Sequence, residues 1–307
     1  MTAIVPDWIA VDWGTSALRV WAMDSAGEVM SHRRSPDGMG GLAPTDFEAA
    51  LLRLVADWIP EGKIADVVAC GMVGAQQGWI EVPYRALPCS PQPDPPFALA
   101  STVDPRLRVH VLAGLSQISP PDVMRGEETQ IAGLLVRRPK FDGVVCLPGT
   151  HSKWVHVSAG EAISFTTFMT GELFELLSTR SVLRHALEAD VWSADAFDNA
   201  VEEAMARPER IASALFGIRA RALLNGLEPG DARARLSGLL IGLELAGARA
   251  WWLGREVVLL GSPKLAETYA ADLLHCGLRP EILDDTNLTL DGLRAAHEAL
   301  AAQGSLR

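Results

Sequence analysis

Residues 8–13 read Trp-Ile-Ala-Val-Asp-Trp, a run that is apolar at odd and even positions alike except for Asp12. A strand sends successive side chains to opposite faces, so such a run belongs in the middle of a sheet that is covered on both sides. A carboxylate there is costly unless something satisfies it. Asp12 is therefore expected to be hydrogen-bonded by the turn that follows it or to face a cation.

The turn is Gly14-Thr15-Ser16, and a second strand with alternating side chains follows from Leu18 to Met23. Asp24-Ser25-Ala26-Gly27 then turns the chain toward a third strand, Glu28 to Arg33. Glycine permits a tight turn, while Thr and Ser bring hydroxyls beside backbone N–H groups. Next to a carboxylate, such a turn can hold a phosphate and its magnesium. An ordinary hairpin with Asp12 in an Asx-turn fits the same residues.

The same layout returns in "FDGVVCLPGTHSKWVHVSAGEAISFTTFM": strands Val144–Leu147, Lys153–Val157 and Ala162–Phe168 around a Pro148-Gly149-Thr150 turn. Between the two hairpin units lie a helix from Thr45 to Ile59, strands Val67–Cys70 and Leu107–Leu112, and a helix Glu127–Arg137. Periodicity predicts helices over Thr170–Ser178, Ala194–Ala206, Arg210–Asn225 and Gly230–Trp251, then a strand Val257–Leu260, a Gly261-Ser262-Pro263 loop with a helix, and a last helix over 288–303. Residues 87–99, "LPCSPQPDPPFAL", read as a stiff irregular loop.

The chain of 307 residues is 49% hydrophobic, enough for two cores, and no apolar run is long enough for a membrane span. The N-terminus lacks the basic-then-apolar pattern of a signal peptide, so the cytoplasm is the expected location. The four cysteines are scattered without a CxxC pair, which indicates neither a zinc site nor a disulfide scaffold; Cys70 and Cys146 are expected in the core. A net charge of −11 argues against a nucleic-acid surface, though not against an anionic substrate in a local basic pocket. No GxGxxG follows the first strand, which disfavours a dinucleotide-binding dehydrogenase.

"VDWGTSALR", "LPGTHSKW" and "VVLLGSPKL" resemble, in order, the first phosphate, second phosphate and adenosine motifs of the actin-like, sugar-kinase and Hsp70-type ATPases. With "GMVGAQQGWIEVPY", "RGEETQIAGLL" and "FMTGELF", the chain is similar to the 2-dehydro-3-deoxygalactonokinase family over about residues 8–300. The resemblance implies an α/β fold of two RNase H-like domains, residues 1–139 and 140–307, around an ATP cleft. The last helix is allowed to pack back on the first domain. It also implies an ATP- and Mg²⁺-dependent kinase for a sugar acid in galactonate catabolism. No nucleic-acid or membrane partner is expected, and a homodimer is left open.

Carried onto this chain, the family motifs give Asp12 the magnesium role, through water. Gly14, Thr15 and Ser16 form one phosphate turn, Gly149 and Thr150 the opposing one, and Gly261 and Ser262 the adenosine contact. In glycerol and xylulose kinases a Gly-Asp at a helix start supplies the base; here Gly126-Glu127 stands in its place with Glu128 next, a departure from Asp by one methylene. Residues i and i+1 of a helix diverge, so one of the two should face the substrate, with Glu127 preferred. Acidic residues in a first helical turn also favour the helix dipole without any catalytic role. For the substrate carboxylate Arg125 is preferred, with Lys153 and Arg19 behind it. Gln77 and Trp79 suit a sugar wall, Trp79 being equally readable as a core residue, and His151 reads as structural.

Overall fold

The computed structural model describes residues 4–94, 97–188 and 191–302. Two compact units emerge: Met1–Phe141 with Val157–Ser164 and Asp285–Arg307, and Asp142–His156 with Phe165–Asp284.

The first unit carries β1 (Trp8–Trp13), β2 (Leu18–Met23), β3 (Val29–Ser35), α1 (Phe47–Val55), β4 (Ala65–Gly71), β5 (Arg85–Ala86), β6 (Ala98–Leu99), β7 (Leu107–Val111), β8 (Leu115–Gln117), β9 (Asp122–Met124) and α2 (Glu127–Arg137). Its main sheet has the order β3-β2-β1-β4-β7-β6, with β1 antiparallel to β2 and parallel to β4. The doubly apolar β1 is thus flanked on both edges and covered on both faces. Ile9, Val11 and Trp13 pack with Phe47, Ala50, Leu51 and Val55 of α1. Trp8 and Ala10, on the other face, pack with Leu290, Leu293, Ala296 and Leu300.

The second unit contains β10 (Gly143–Leu147), β11 (Ser152–Ser158), β12 (Glu161–Phe168), α3 (Thr170–Thr179), α4 (Ala194–Ala206), α5 (Ile211–Leu224), α6 (Pro229–Gly247), α7 (Arg249–Trp252), β13 (Val257–Leu260), α8 (Pro263–His275) and β14 (Glu281–Leu283); the tip of the β11–β12 hairpin, Val157–Ser164, groups with the first unit. The sheet order β12-β11-β10-β13-β14, with β10, β13 and β14 mutually parallel in sequence, repeats β3-β2-β1-β4-β7 of the first sheet. After β14 the chain forms α9 (Asp285–Ala302), which supplies the second cover of β1.

Several elements differ from the periodicity. The helix expected over 45–59 is α1 followed by a 3-10 turn, Ala56–Trp58. The helix expected through Trp251 ends at Gly247 and restarts as α7; the indole of Trp252 donates to the Leu245 carbonyl at 2.9 Å, satisfying one of the acceptors a helix end leaves open. Apolar residues continue across this break, which hid it. The last helix starts three residues before its predicted start at 288, and residue 303 of its predicted span lies outside the described residues. Within the proline-rich segment, of which residues 95–96 lie outside the described set, Ala98–Leu99 pair with β7. A small third sheet, β5-β8-β9, arises where no periodic signal exists, its strands being two or three residues long.

α2 and α9 meet at backbone contact. A Cβ built on Gly133 would lie 2.0 Å from the Leu288 carbonyl oxygen, and one on Gly292 would lie 2.0 Å from that of Thr129. Gly133→Ala is therefore expected to cost about 1–3 kcal/mol or more through overpacking. Gly217→Ala, on α5 with nothing within 4 Å of the added carbon, should instead gain up to about 1 kcal/mol from helix propensity. Urea unfolding of both variants checks the contrast; equal effects would mean the α2–α9 crossing is loose.

Candidate active site

The partner of Asp12 is Arg19. The two are paired in register across the β1–β2 hairpin, and the Arg19 Nε donates to Asp12 Oδ2 at 2.9 Å while Nη2 reaches the same oxygen. Arg19 Nη1 approaches Thr286 Oγ1 at 3.4 Å. Within the chain the guanidinium serves Asp12 through Nε and Nη2, and Nη1 is its remaining arm. Asp12 Oδ1 faces the Cys70 thiol at 3.9 Å. The Gly14 turn closes on itself, with Gly14 N–H donating to the Ala17 carbonyl at 2.9 Å. The carbonyls of Gly14 and Thr15 accept from Met39 and Gly40, leaving the Thr15 and Ser16 side chains exposed.

The acid pair sits behind a strained entry. Gly126 has φ +113° and packs on Gly71, itself at φ +91°, so both positions favour glycine. Glu127 is half-buried and accepts from the Arg125 N–H at 3.0 Å. Glu128 is buried, accepting from Gly126 N–H at 2.7 Å and from Thr129 Oγ1 at 3.3 Å. Burial, then the neighbouring Glu127 charge, pushes the Glu128 carboxyl up to about 8. Glu128 also lines a cavity of about 30 Å³, room for a water, walled by Pro91 and Pro93 of the proline-rich segment. The pattern preferred Glu127, but it is Glu128 that is buried with a raised carboxyl, so the two glutamates are set in different surroundings.

Arg125 is 8% exposed; its Nη2 donates to the Val82 carbonyl at 2.7 Å, and its guanidinium lies 4.2 Å from the Tyr84 ring centroid. Its Nε and Nη1 have no hydrogen-bond partner among the described residues. Buried donors of this kind are expensive to leave unmade, and a planar guanidinium edge matches a carboxylate. Trp79 packs in the first core, its ring 6.3 Å from that of Trp13 and 6.4 Å from that of Phe47, with its Nε1–H on the Ser101 carbonyl at 3.2 Å. That is the core role. Gln77 is exposed in the adjoining loop.

In the second unit, Gly149 stands in open space, with Thr150 exposed beside it. Gly261 packs on Pro148, a built Cβ lying 3.2 Å from the Pro148 carbonyl oxygen, so the phosphate-like turn and the Gly-Ser loop adjoin. His151 Nε2 and Glu172 Oε2 are 2.5 Å apart, and the Glu172 N–H donates to the Thr150 carbonyl at 3.0 Å. Lys153 is buried in β11, in the other unit from Arg19 and Arg125. Gly149, Gly171, Ser262, Lys264, Arg233 and Asp272 line a cavity of about 530 Å³, which Trp192 and Phe197, with ring centroids 5.4 Å apart, help to wall. Its size and its mixture of aromatic and cationic groups suit a nucleotide. Asp272 is buried there with Oδ2 unpartnered among the described residues, its carboxyl raised to about 7 by burial and then by Asp198. Of this lining, Gly149 and Ser262 were expected from the sequence, while Gly171, Trp192, Phe197, Arg233, Lys264 and Asp272 were not. The available signal was the spacing of Lys264, Thr268 and Asp272, four apart on one face of α8.

A family model described as 2-keto-3-deoxy-galactonokinase matches residues 12–296. The chain is 40% identical over 300 residues to "Probable 2-dehydro-3-deoxygalactonokinase DgoK1" of Rhizobium meliloti (strain 1021), covering 95% of this chain and 97% of that one. It is 34% identical over 260 residues to 2-dehydro-3-deoxygalactonokinase of Escherichia coli (strain K12), covering 82% and 84%. The crystal structure of a candidate 2-dehydro-3-deoxygalactonokinase from Sinorhizobium meliloti superposes with a TM-score of 0.86 at 39% identity, over 95% of this chain and 99% of that one. The fold is the mixed α/β fold of actin-like ATPases and sugar kinases. No helix among the described residues is long and apolar enough to cross a membrane.

The surroundings of Glu128 carry a stability signature. Its carboxyl titrates at 4.5 when unperturbed and at about 8 in the folded protein. Between these values the folded state keeps a proton that the unfolded state has lost, so stability falls as pH rises through the window and levels off above it. Glu128→Gln removes that dependence. Urea unfolding at about pH 5 and about pH 8.5 should show the variant losing less stability than wild type, by on the order of a few kcal/mol. Parallel losses would mean that Glu128 is not desolvated.

Proposed function

Because the chain belongs to the 2-keto-3-deoxy-galactonokinase family, we propose that it transfers the γ-phosphoryl group of ATP to the terminal 6-hydroxyl of 2-dehydro-3-deoxy-D-galactonate. The observation that carries the acid substrate is the buried Arg125, whose Nε and Nη1 have no hydrogen-bond partner among the described residues, three residues from a carboxyl raised to about 8. A neutral sugar offers those two donors only neutral acceptors, whereas a sugar-acid carboxylate offers charged ones. Such a reaction belongs in the cytoplasm, where ATP is held.

In the reaction a bond forms between the sugar-acid O6 and the γ-phosphorus, the bond from that phosphorus to the β–γ bridging oxygen breaks, and ADP leaves. Glu128 takes the hydroxyl proton, a role that its burial and its pKa near the working pH support. The exposed Thr15 and Ser16 and the open turn at Gly149–Thr150 are assigned to the phosphates, and Gly261, Ser262 and the cavity beside them to the nucleoside. Positioning and charge stabilisation supply most of the rate in phosphoryl transfer, so these contacts matter more than any covalent step.

Mg²⁺ fits in a restricted way. Among the described residues no group of three or more His, Cys, Asp or Glu side chains could hold a metal, and Asp12 offers Oδ1 alone because Arg19 occupies Oδ2. That donor set suits an ion carried chiefly by the phosphates of ATP, with Asp12 reaching it through water. When bound, the ion supplies neutralisation of charge on the phosphoryl oxygens.

Purified protein with ATP and Mg²⁺ should release ADP with 2-dehydro-3-deoxygalactonate and not with neutral hexoses. Turnover of a neutral sugar alone would overturn the acid assignment. Glu128→Gln should lower kcat by about 10²–10⁴ and abolish a rise of kcat/KM through an ionisation near 8, with Glu127→Gln affected far less. The reverse pattern would move the base to Glu127. Arg125→Met should raise KM for the sugar acid by about tenfold to a hundredfold while leaving KM for ATP near its normal value.

A further inference from the structure

Glu244, on α6, is 1% exposed, and neither the motifs nor the proposed mechanism uses it. Its carboxylate gathers four donors. Trp154 Nε1 of β11 donates to Oε1 at 2.9 Å, and the Tyr269 hydroxyl of α8 donates to Oε2 at 2.7 Å. The Thr170 hydroxyl, at the start of α3, donates to Oε2 as well, and the Ser152 hydroxyl bonds the same carboxylate. An indole N–H can only donate, so Oε1 must accept from Trp154, while the three hydroxyls can donate or accept. Burial raises the carboxyl while the four hydrogen bonds oppose the rise.

Three of the four donors, the hydroxyls, lead to elements of the nucleotide region. Ser152 Oγ also accepts from the Gly149 N–H, at 3.4 Å, tying the carboxylate to the phosphate turn. Thr170 precedes Gly171, where a Cβ would lie 2.5 Å from the Gly149 carbonyl oxygen and 2.7 Å from the Thr150 Cα. Tyr269 stands two turns into the helix that begins directly after Gly261-Ser262, and its hydroxyl lies 3.4 Å from Ser152 Oγ. One side chain therefore fixes the turn, the helix that backs it and the helix that follows the Gly-Ser loop.

We propose that Glu244 is a positioning residue for ATP: from beneath the cavity, through Ser152, Thr170 and Tyr269, it holds the Gly149–Thr150 turn and the α8 loop in their nucleotide-binding geometry without touching the nucleotide. The inference rests on the reading that this turn and loop hold ATP. Misplacing a binding group by even about 1 Å is costly, so loosening the turn should be felt in ATP affinity and not in affinity for the sugar acid. Glu244→Gln keeps the volume but turns an acceptor into a donor. The three hydroxyls can rotate to accommodate it; the Trp154 indole cannot.

The test measures ATP binding by calorimetry in the absence of sugar acid, KM for each substrate, and thermal melting, on the full chain. Wild type should bind ATP. Glu244→Gln should weaken ATP binding and raise KM for ATP by about tenfold or more, with KM for the sugar acid within about twofold and a melting transition well above assay temperature. Ser152→Ala and Tyr269→Phe each remove one link, keep the variant set informative if Glu244→Gln does not fold, and should each weaken ATP binding by a smaller factor. Ser152→Ala should add little on top of Glu244→Gln, because the two act through one chain of bonds. If wild type binds no ATP, the reading of the site fails and takes the inference with it. If wild type binds ATP and the folded variants bind it equally well, Glu244 is a core residue only and the proposal is overturned.

Discussion

Much of the structure follows from the requirement that a doubly covered strand also carry a carboxylate. β1 needs helices on both faces, hence α1 on one side and α9 on the other. It needs a cation opposite Asp12, and the antiparallel hairpin is the shortest way to bring one into register. Three carboxylates of this chain show three solutions to the same desolvation problem. Asp12 is met by a guanidinium and Glu244 by four neutral donors. Glu128 is met by backbone N–H groups and the Thr129 hydroxyl, too little to offset its burial and the Glu127 charge, and its carboxyl is pushed up to about 8. The first two environments favour the ionised carboxylate through donors, and the third favours the protonated carboxyl.

The sequence was legible where period and punctuation agreed. α2, α4 and β13 fall at their expected bounds because Gly126, Ser193 and Gly261 mark their edges. It was less legible where the apolar pattern ran on past a structural end, as at Gly247, and where strands were too short to have a period, as in β5, β8 and β9. Arg19 was readable in principle. With the turn at Gly14–Ala17, counting back along the hairpin places Arg19 opposite Asp12. A cation near a phosphate-like turn invited a ligand role instead, and local sequence does not rank an internal partner against an external one. The distinction between Glu127 and Glu128 was beyond pattern alone, because it depends on β4 and the Pro91–Pro93 wall, which are distant in sequence. The Glu244 cluster was equally hidden: its members lie at 152, 154, 170, 244 and 269, on four different elements.

The placement of α9 has a consequence for how the molecule comes into being. The chain enters the first unit at β1 but returns to complete it only at Asp285, after nearly all of the second unit has been written. A ribosome that has released residues 1–141 has therefore made a sheet on which Trp8, Ala10, Trp21 and Leu112 still lack the cover that α9 gives them. The helix that covers them leaves the exit tunnel only after the second unit has been made. The unit begun first is finished last, and during that interval its apolar face is what a nascent-chain chaperone would meet.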